Sequence, residues 1–139
     1  MIVVAIIGIL AAIAIPNFEE MQYKAKRSEP LVNLDGISTA ELAYEAANDD
    51  YIKCENNPGS SLTKQQNIWD ISKSGWTDLG WSPDGEVRCN YKVSLFGGDL
   101  WFRIDATCDM DNDNNTAILR YYSEESGKQG LVDLYPTRY

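Results

Sequence analysis

The first fifteen residues of the chain, MIVVAIIGILAAIAI, carry no charged side chain, and Pro16 follows them. A helix of this sequence is apolar on every side, so it has no polar face to turn toward water. It reaches only about 22 Å at 1.5 Å per residue, which is shorter than a membrane span. A chain of 139 residues also has too little other material to enclose such a helix. The pattern therefore predicts a rod that its own domain does not cover.

A longer stretch, from Phe18 to about Asn48, has apolar residues at helical spacing. This spacing predicts an amphipathic helix with one face on a sheet. The segment Ser28-Glu29-Pro30 either begins a fresh helix or marks a kink, because proline is tolerated only in the first turn. The helix is expected to end at Asn48-Asp49-Asp50. The residues predicted on the covered face are Leu31, Leu34, Ile37, Ala40, Leu42, Ala43 and Ala46.

Alternating apolar and polar positions predict strands at residues 86–96, EVRCNYKVSLF, and 100–108, LWFRIDATC. Gly97-Gly98 is predicted to form the turn between them. A third strand is predicted from Thr116 to Tyr122, and residues 54–85 are predicted to form an ordered loop pinned by three tryptophans. The inward positions are Val87, Cys89, Tyr91, Val93 and Leu95 in the first strand, and Leu100, Phe102, Ile104, Ala106 and Cys108 in the second.

If the domain is exported to an oxidising compartment, its three cysteines imply one disulfide and one odd thiol. Cys89 and Cys108 share the inward face of neighbouring strands, and a four-residue turn places them directly opposite or one diagonal step apart. Facing positions have the Cα separation that a disulfide needs. The predicted bridge is therefore Cys89–Cys108, with Cys54 either free or paired between subunits.

The N-terminal segment MIVVAIIGILAAIAIPNF resembles that of type IV pilins closely, through Gly8, Pro16 and Asn17-Phe18. The resemblance is strong over about the first 35 residues and implies the α+β pilin fold, a long N-terminal helix packed on a small antiparallel sheet. It divides the chain into a helix at 1–52, whose apolar filament-core or membrane part is 1–15 and whose amphipathic part is 16–52, and a globular part at 53–139. Mature pilins usually begin with an N-methylated Phe and a Thr-Leu-Ile-Glu-Leu-like stretch. This sequence lacks those residues, as expected if the chain is truncated or Met1 is a misread start, so no residue here inherits the role of that glutamate.

The resemblance also implies a function, that of a structural subunit of a type IV pilus. Its implied partners are identical subunits in a homopolymer, the inner membrane before assembly and the pilus assembly machinery, and its final place is the extracellular filament. The segment between Gly8 and Pro16 is expected to lose helical hydrogen bonds on assembly. Alternatives are a type II secretion pseudopilin and an aromatic electron-conducting filament. The residues expected in the filament core are Ile2, Val3, Val4, Ile6, Ile7, Gly8, Ile9, Leu10, Ile13, Ile15 and Pro16.

Composition argues against other function classes. The net charge of −9 disfavours nucleic-acid binding by the isolated subunit. Histidine is absent, and neither a phosphate-binding loop nor a nucleophile elbow nor a zinc spacing occurs, so we expect a non-enzyme. The basic cluster Lys24-Ala-Lys26-Arg27 is read as a solvated helix face, with an anion, inner-leaflet or neighbouring-subunit contact as the alternatives.

An acidic run, CDMDNDNN, alternates Asp109, Asp111 and Asp113 like the first half of an EF-hand calcium loop. However, Asn114 replaces the turn glycine and Arg120 stands where the bidentate glutamate belongs, so it is not an EF-hand. Two interpretations remain, an irregular Ca²⁺ loop and a plain polar turn, and no other cofactor is expected.

Overall fold

Two helices make up the N-terminal third of the protein. A computed structural model describes residues 2–59, 61–125 and 128–138 of the chain. Helix α1 is Ile2–Lys26 and helix α2 is Ser28–Asn48, with only Arg27 between them. A fresh helix therefore starts at Ser28. The helix ends at Asn48 because Asp49 turns left-handed (φ 58°), and its N–H donates to the Glu45 carbonyl at 2.8 Å.

Four antiparallel strands follow in the order β1-β2-β3-β4: β1 Cys89–Phe96, β2 Trp101–Cys108, β3 Ala117–Glu125 and β4 Lys128–Asp133. The long N-terminal helix and the antiparallel sheet confirm the predicted α+β fold. The predicted inward position of Leu100 is wrong, because the turn extends through this residue and leaves 78% of it exposed. Strand β4 was not predicted, since its sequence KQGLVD has a central glycine and no apolar alternation.

The long loop between α2 and β1 is ordered by tryptophans, as predicted. The ring of Trp69 lies 4.8 Å from that of Trp76 and 5.4 Å from that of Trp81, both edge-on. The fully buried Trp76 donates its indole N–H to the Glu55 carbonyl at 2.7 Å and opens a one-turn helix, α3, at Trp76–Leu79. These contacts hold the loop against the inward face of the sheet, where Trp69 and Trp81 contact the ring of Tyr91.

Helix α2 covers the sheet with a face that only partly overlaps the predicted one. Leu34 and Ile37 are buried as predicted, but four other predicted positions are exposed: Leu31, Leu42, Ala43 and Ala46. Leu34, Ile37, Ser38 and Glu41 are buried. In contrast, Leu42 is 48% exposed, so its predicted inward position is wrong. Positions 34, 37, 38 and 41 share one helical stripe, and packing against β2 and β3 selects this stripe rather than the more apolar one beside it.

Candidate functional site

The apolar part of α1 projects from the domain without cover. Among the described residues of α1, none is buried. Its nine large aliphatic side chains are between 51% and 78% exposed: Ile2, Val3, Val4, Ile6, Ile7, Ile9, Leu10, Ile13 and Ile15. The helix is also long and apolar enough to cross a membrane. Because full burial of one such side chain is worth about 1.5–3 kcal/mol, covering all nine would stabilise an assembly by more than about 10 kcal/mol.

Gly8 supports the view that another molecule covers this surface. Glycine inside a helix costs about 1 kcal/mol relative to alanine. Yet a methyl group placed on Gly8 would meet nothing within 4 Å in the isolated chain. The fold itself therefore gives no packing reason for this glycine, whereas close approach of a second helix would give one.

Pro16 lies inside α1, which continues through it to Lys26. Proline lacks the N–H that would bond the Ala12 carbonyl, so one helical hydrogen bond is already missing at this turn. The loss of further helical hydrogen bonds between Gly8 and Pro16 on assembly stays a prediction.

The predicted disulfide is confirmed. Cys89 and Cys108 lie directly opposite each other in the β1–β2 register and are bonded, with their Cα atoms 4.4 Å apart. Cys54 is a free and fully buried thiol. Burial, with the nearby Glu41 and Asp78 charges, raises the pKa of this thiol well above its ordinary value. Of the two alternatives for Cys54, the structure supports the free thiol, since a buried cysteine cannot reach another subunit.

The acidic turn between β2 and β3 brings its three carboxylates together. Asp109, Asp111 and Asp113 each offer one oxygen within 4.8 Å of the others. Asp109 is only 2% exposed and accepts the backbone N–H groups of Asn112 at 2.7 Å and Asn114 at 3.2 Å. The turn is thus built around the buried Asp109 carboxylate, and Asp111 and Asp113 lie outside it.

The pKa values of the outer two carboxylates are shifted in opposite directions. Desolvation and the charges of Asp109 and Asp113 raise the pKa of Asp111, whereas hydrogen bonds from Asn115 lower the pKa of Asp113. Carboxylate oxygens are the donor type that Ca²⁺ prefers, but three fall short of its usual six to eight ligands. Carbonyl oxygens and water would have to supply the others, so calcium binding at this turn stays a prediction.

Glu41 is the titratable residue that sequence reasoning missed. It is fully buried on α2, where one carboxylate oxygen accepts the Ile52 N–H at 3.1 Å and the other, Oε1, has no hydrogen-bond partner among the described residues. Burial raises the pKa of this carboxyl to about 7. Glu41 lies seven residues after Leu34, a helical spacing that places both on the buried face of α2. Its charge, however, made the solvent-exposed face the expected one.

Comparison with known proteins identifies a pilin that is similar in sequence to this chain. None of the protein-family models matches the chain, and no solved structure matches it. The type IV major pilin protein PilA of Myxococcus xanthus (strain DK1622) is 37% identical over 103 residues, which make up 74% of this chain. The match spans 37% of the length of that relative. In sequence over most of its own length, and in its long apolar helix and antiparallel sheet, the chain is similar to type IV pilins.

Proposed function

We propose that this chain is a structural subunit of a type IV pilus filament and polymerises through α1. The observation that carries the proposal is the apolar surface of Ile2–Ile15, which the described part of the chain leaves uncovered. Identical helices packed side by side would remove this surface from water and leave the sheet domains as the outer layer.

The same surface suits a membrane pool before assembly. The subunit would wait in the inner membrane, leave it with the help of the pilus assembly machinery and end in an extracellular filament. Both environments are apolar. On transfer from the membrane to the filament, the helices of neighbouring subunits would replace lipid tails around α1.

The runner-up is a type II secretion pseudopilin, which has the same layout but forms a short periplasmic fibre. The two functions differ in the machinery that they need. We expect surface filaments that contain this chain to vanish when the pilus assembly motor is deleted and to persist when the type II secretion motor is deleted. The reverse dependence would identify a pseudopilin.

The substitution Ile7→Asp tests the polymerisation surface. An unpaired charge buried between helices costs several kcal/mol per subunit, so cells carrying this variant should lose their filaments. The matched control is Ile68→Asp, because Ile68 is 77% exposed but lies in the loop after α2. Electron microscopy of cells, with immunoblots for subunit level, reads the result. Filaments that persist in Ile7→Asp, or that are lost equally in Ile68→Asp, would contradict assembly through α1.

A further inference from the structure

The junction between α1 and α2 is a break in the backbone ladder of a nearly continuous rod. Pro30 has no N–H to give to the Lys26 carbonyl, and its ring crowds that carbonyl. At the neighbouring position, the Ala25 carbonyl accepts a hydrogen bond from the Ser28 hydroxyl at 2.7 Å. Since a helical hydrogen bond is missing here, the direction of α1 is not set by the helix alone.

Arg27 fills this break, and its side chain points into the domain. The residue is only 9% exposed, contrary to the prediction of a solvated basic face. Its guanidinium donates to both carboxylate oxygens of Asp133 at 2.7 Å, to the Tyr135 carbonyl at 2.7 Å and to the Arg138 carbonyl. All four acceptors lie in the segment Asp133–Arg138 at the end of β4, more than 100 positions away in the chain.

That segment is itself anchored to the sheet. Asp133 pairs with Leu119 in the β3–β4 register, and the Leu134 N–H donates to the Ile118 carbonyl at 3.1 Å. A buried guanidinium needs acceptors for its donors and an opposite charge, and this segment supplies both. The planar fork of arginine also fits the Asp133 carboxylate and the carbonyls together, which the point charge of lysine cannot do.

We infer that Arg27 and the segment Asp133–Arg138 form a latch that fixes the direction of α1 relative to the sheet. Arg27 is then a positioning residue for filament assembly, and this last step rests on the proposed function. Tyr23, one turn earlier, adds a weaker contact to Lys64 of the loop, with 3.4 Å between its hydroxyl and the ammonium.

The length of α1 makes this angle important. Ala14 is about 20 Å from Arg27 at 1.5 Å per residue, so a change of about 20° in the bend moves it by about 7 Å. Side chains of packed helices interlock over much smaller distances. Subunits with a variable bend could not place α1 in one repeated arrangement.

The latch can be tested on the full chain in detergent micelles, apart from any filament. Spin labels at Ala14→Cys and Lys92→Cys report the distance between α1 and the outer face of the sheet, because both sites are exposed while Cys54 is buried. We expect Arg27→Gln and Asp133→Asn each to broaden the distance distribution at least about twofold, and Arg27→Lys to broaden it less. The double variant should be no broader than Arg27→Gln alone, since Arg27→Gln already removes the ion pair with Asp133.

Lys24→Gln is the matched control, because it removes a positive charge from an exposed ion pair with Glu20 on the same helix. Its distribution should match the wild type. A lower melting temperature of Arg27→Gln and Asp133→Asn with unchanged distributions would overturn the latch. If Arg27→Gln fails to fold, the distance distributions of Asp133→Asn and Arg27→Lys test the latch in its place.

The role in assembly is read separately on cells. Variants that broaden the distribution should reduce surface filaments at least about tenfold at equal subunit level. Broadened distributions with normal filaments would overturn the positioning role. Wild-type cells without filaments would refute the proposed function and leave the micelle result standing.

Discussion

Neutralising Glu41 should make the protein more stable at neutral and alkaline pH. The carboxyl is fully buried, and its Oε1 atom lacks a hydrogen-bond partner. Desolvation raises its pKa from 4.5 to about 7, and the bond from the Ile52 N–H offsets only part of this. The Cys54 thiol interacts with the Glu41 charge and offers no positive charge to stabilise it.

The sign follows from the two pKa values. Below about pH 4.5 the carboxyl is protonated in both the folded and the unfolded chain, and its burial carries no charge penalty. Between about pH 4.5 and about 7 the unfolded chain loses this proton while the folded protein keeps it, so the free energy of unfolding falls across this window and levels off above about pH 7. The difference between 4.5 and about 7 corresponds to a loss of about 3 kcal/mol in the free energy of unfolding by about pH 8.

Glu41→Gln imitates the protonated carboxyl and keeps an oxygen for the Ile52 N–H. We expect it to match the wild type near pH 4 and to exceed it at pH 8 by up to about 3 kcal/mol, or about 10 °C in melting temperature. Urea unfolding of the full chain in mild detergent at pH 4, 5, 6, 7 and 8 measures the difference. Asp35→Asn, an exposed site on the same helix, is the control and should not change the pH profile. Parallel pH profiles of Glu41→Gln and the wild type would refute the reasoning.

Three further predictions concern the globular part. Replacing both Cys89 and Cys108 with serine should lower the free energy of unfolding by about 3 kcal/mol in urea unfolding, because the disulfide closes a loop of about 20 residues. Peptide mapping without reduction would contradict the pairing if it linked Cys54 to either cysteine. Calcium at several millimolar should raise the melting temperature and Asp111→Ala should remove the effect, whereas no shift relative to magnesium would leave the polar turn as the better interpretation. Trp76→Ala should cost about 3–5 kcal/mol in urea unfolding, and a loss below about 1 kcal/mol would show that the loop is not pinned there.

Periodic patterns in the sequence determined the elements that local chemistry sets. A run that is apolar on every face predicted the exposed α1, because no rotation of such a helix can hide it. Alternation over residues 86–96 and 100–108 predicted β1 and β2, and the shared parity of Cys89 and Cys108 predicted their bond. Side chains in a strand alternate with a period of two, so facing partners can be read from residue numbers.

Contacts between distant residues were decided only by the tertiary structure. The apolar pattern of α2 allowed more than one buried face, and packing on the sheet selected the one that buries Glu41 and exposes Leu42. Arg27 appeared as part of a basic cluster, yet its partners begin at Asp133, at the end of a strand that the sequence did not reveal. The local sequence pattern predicts which side chains of a helix or strand can be buried. Which of them are buried depends on the surface that meets the element, and that surface comes from residues far away in the chain.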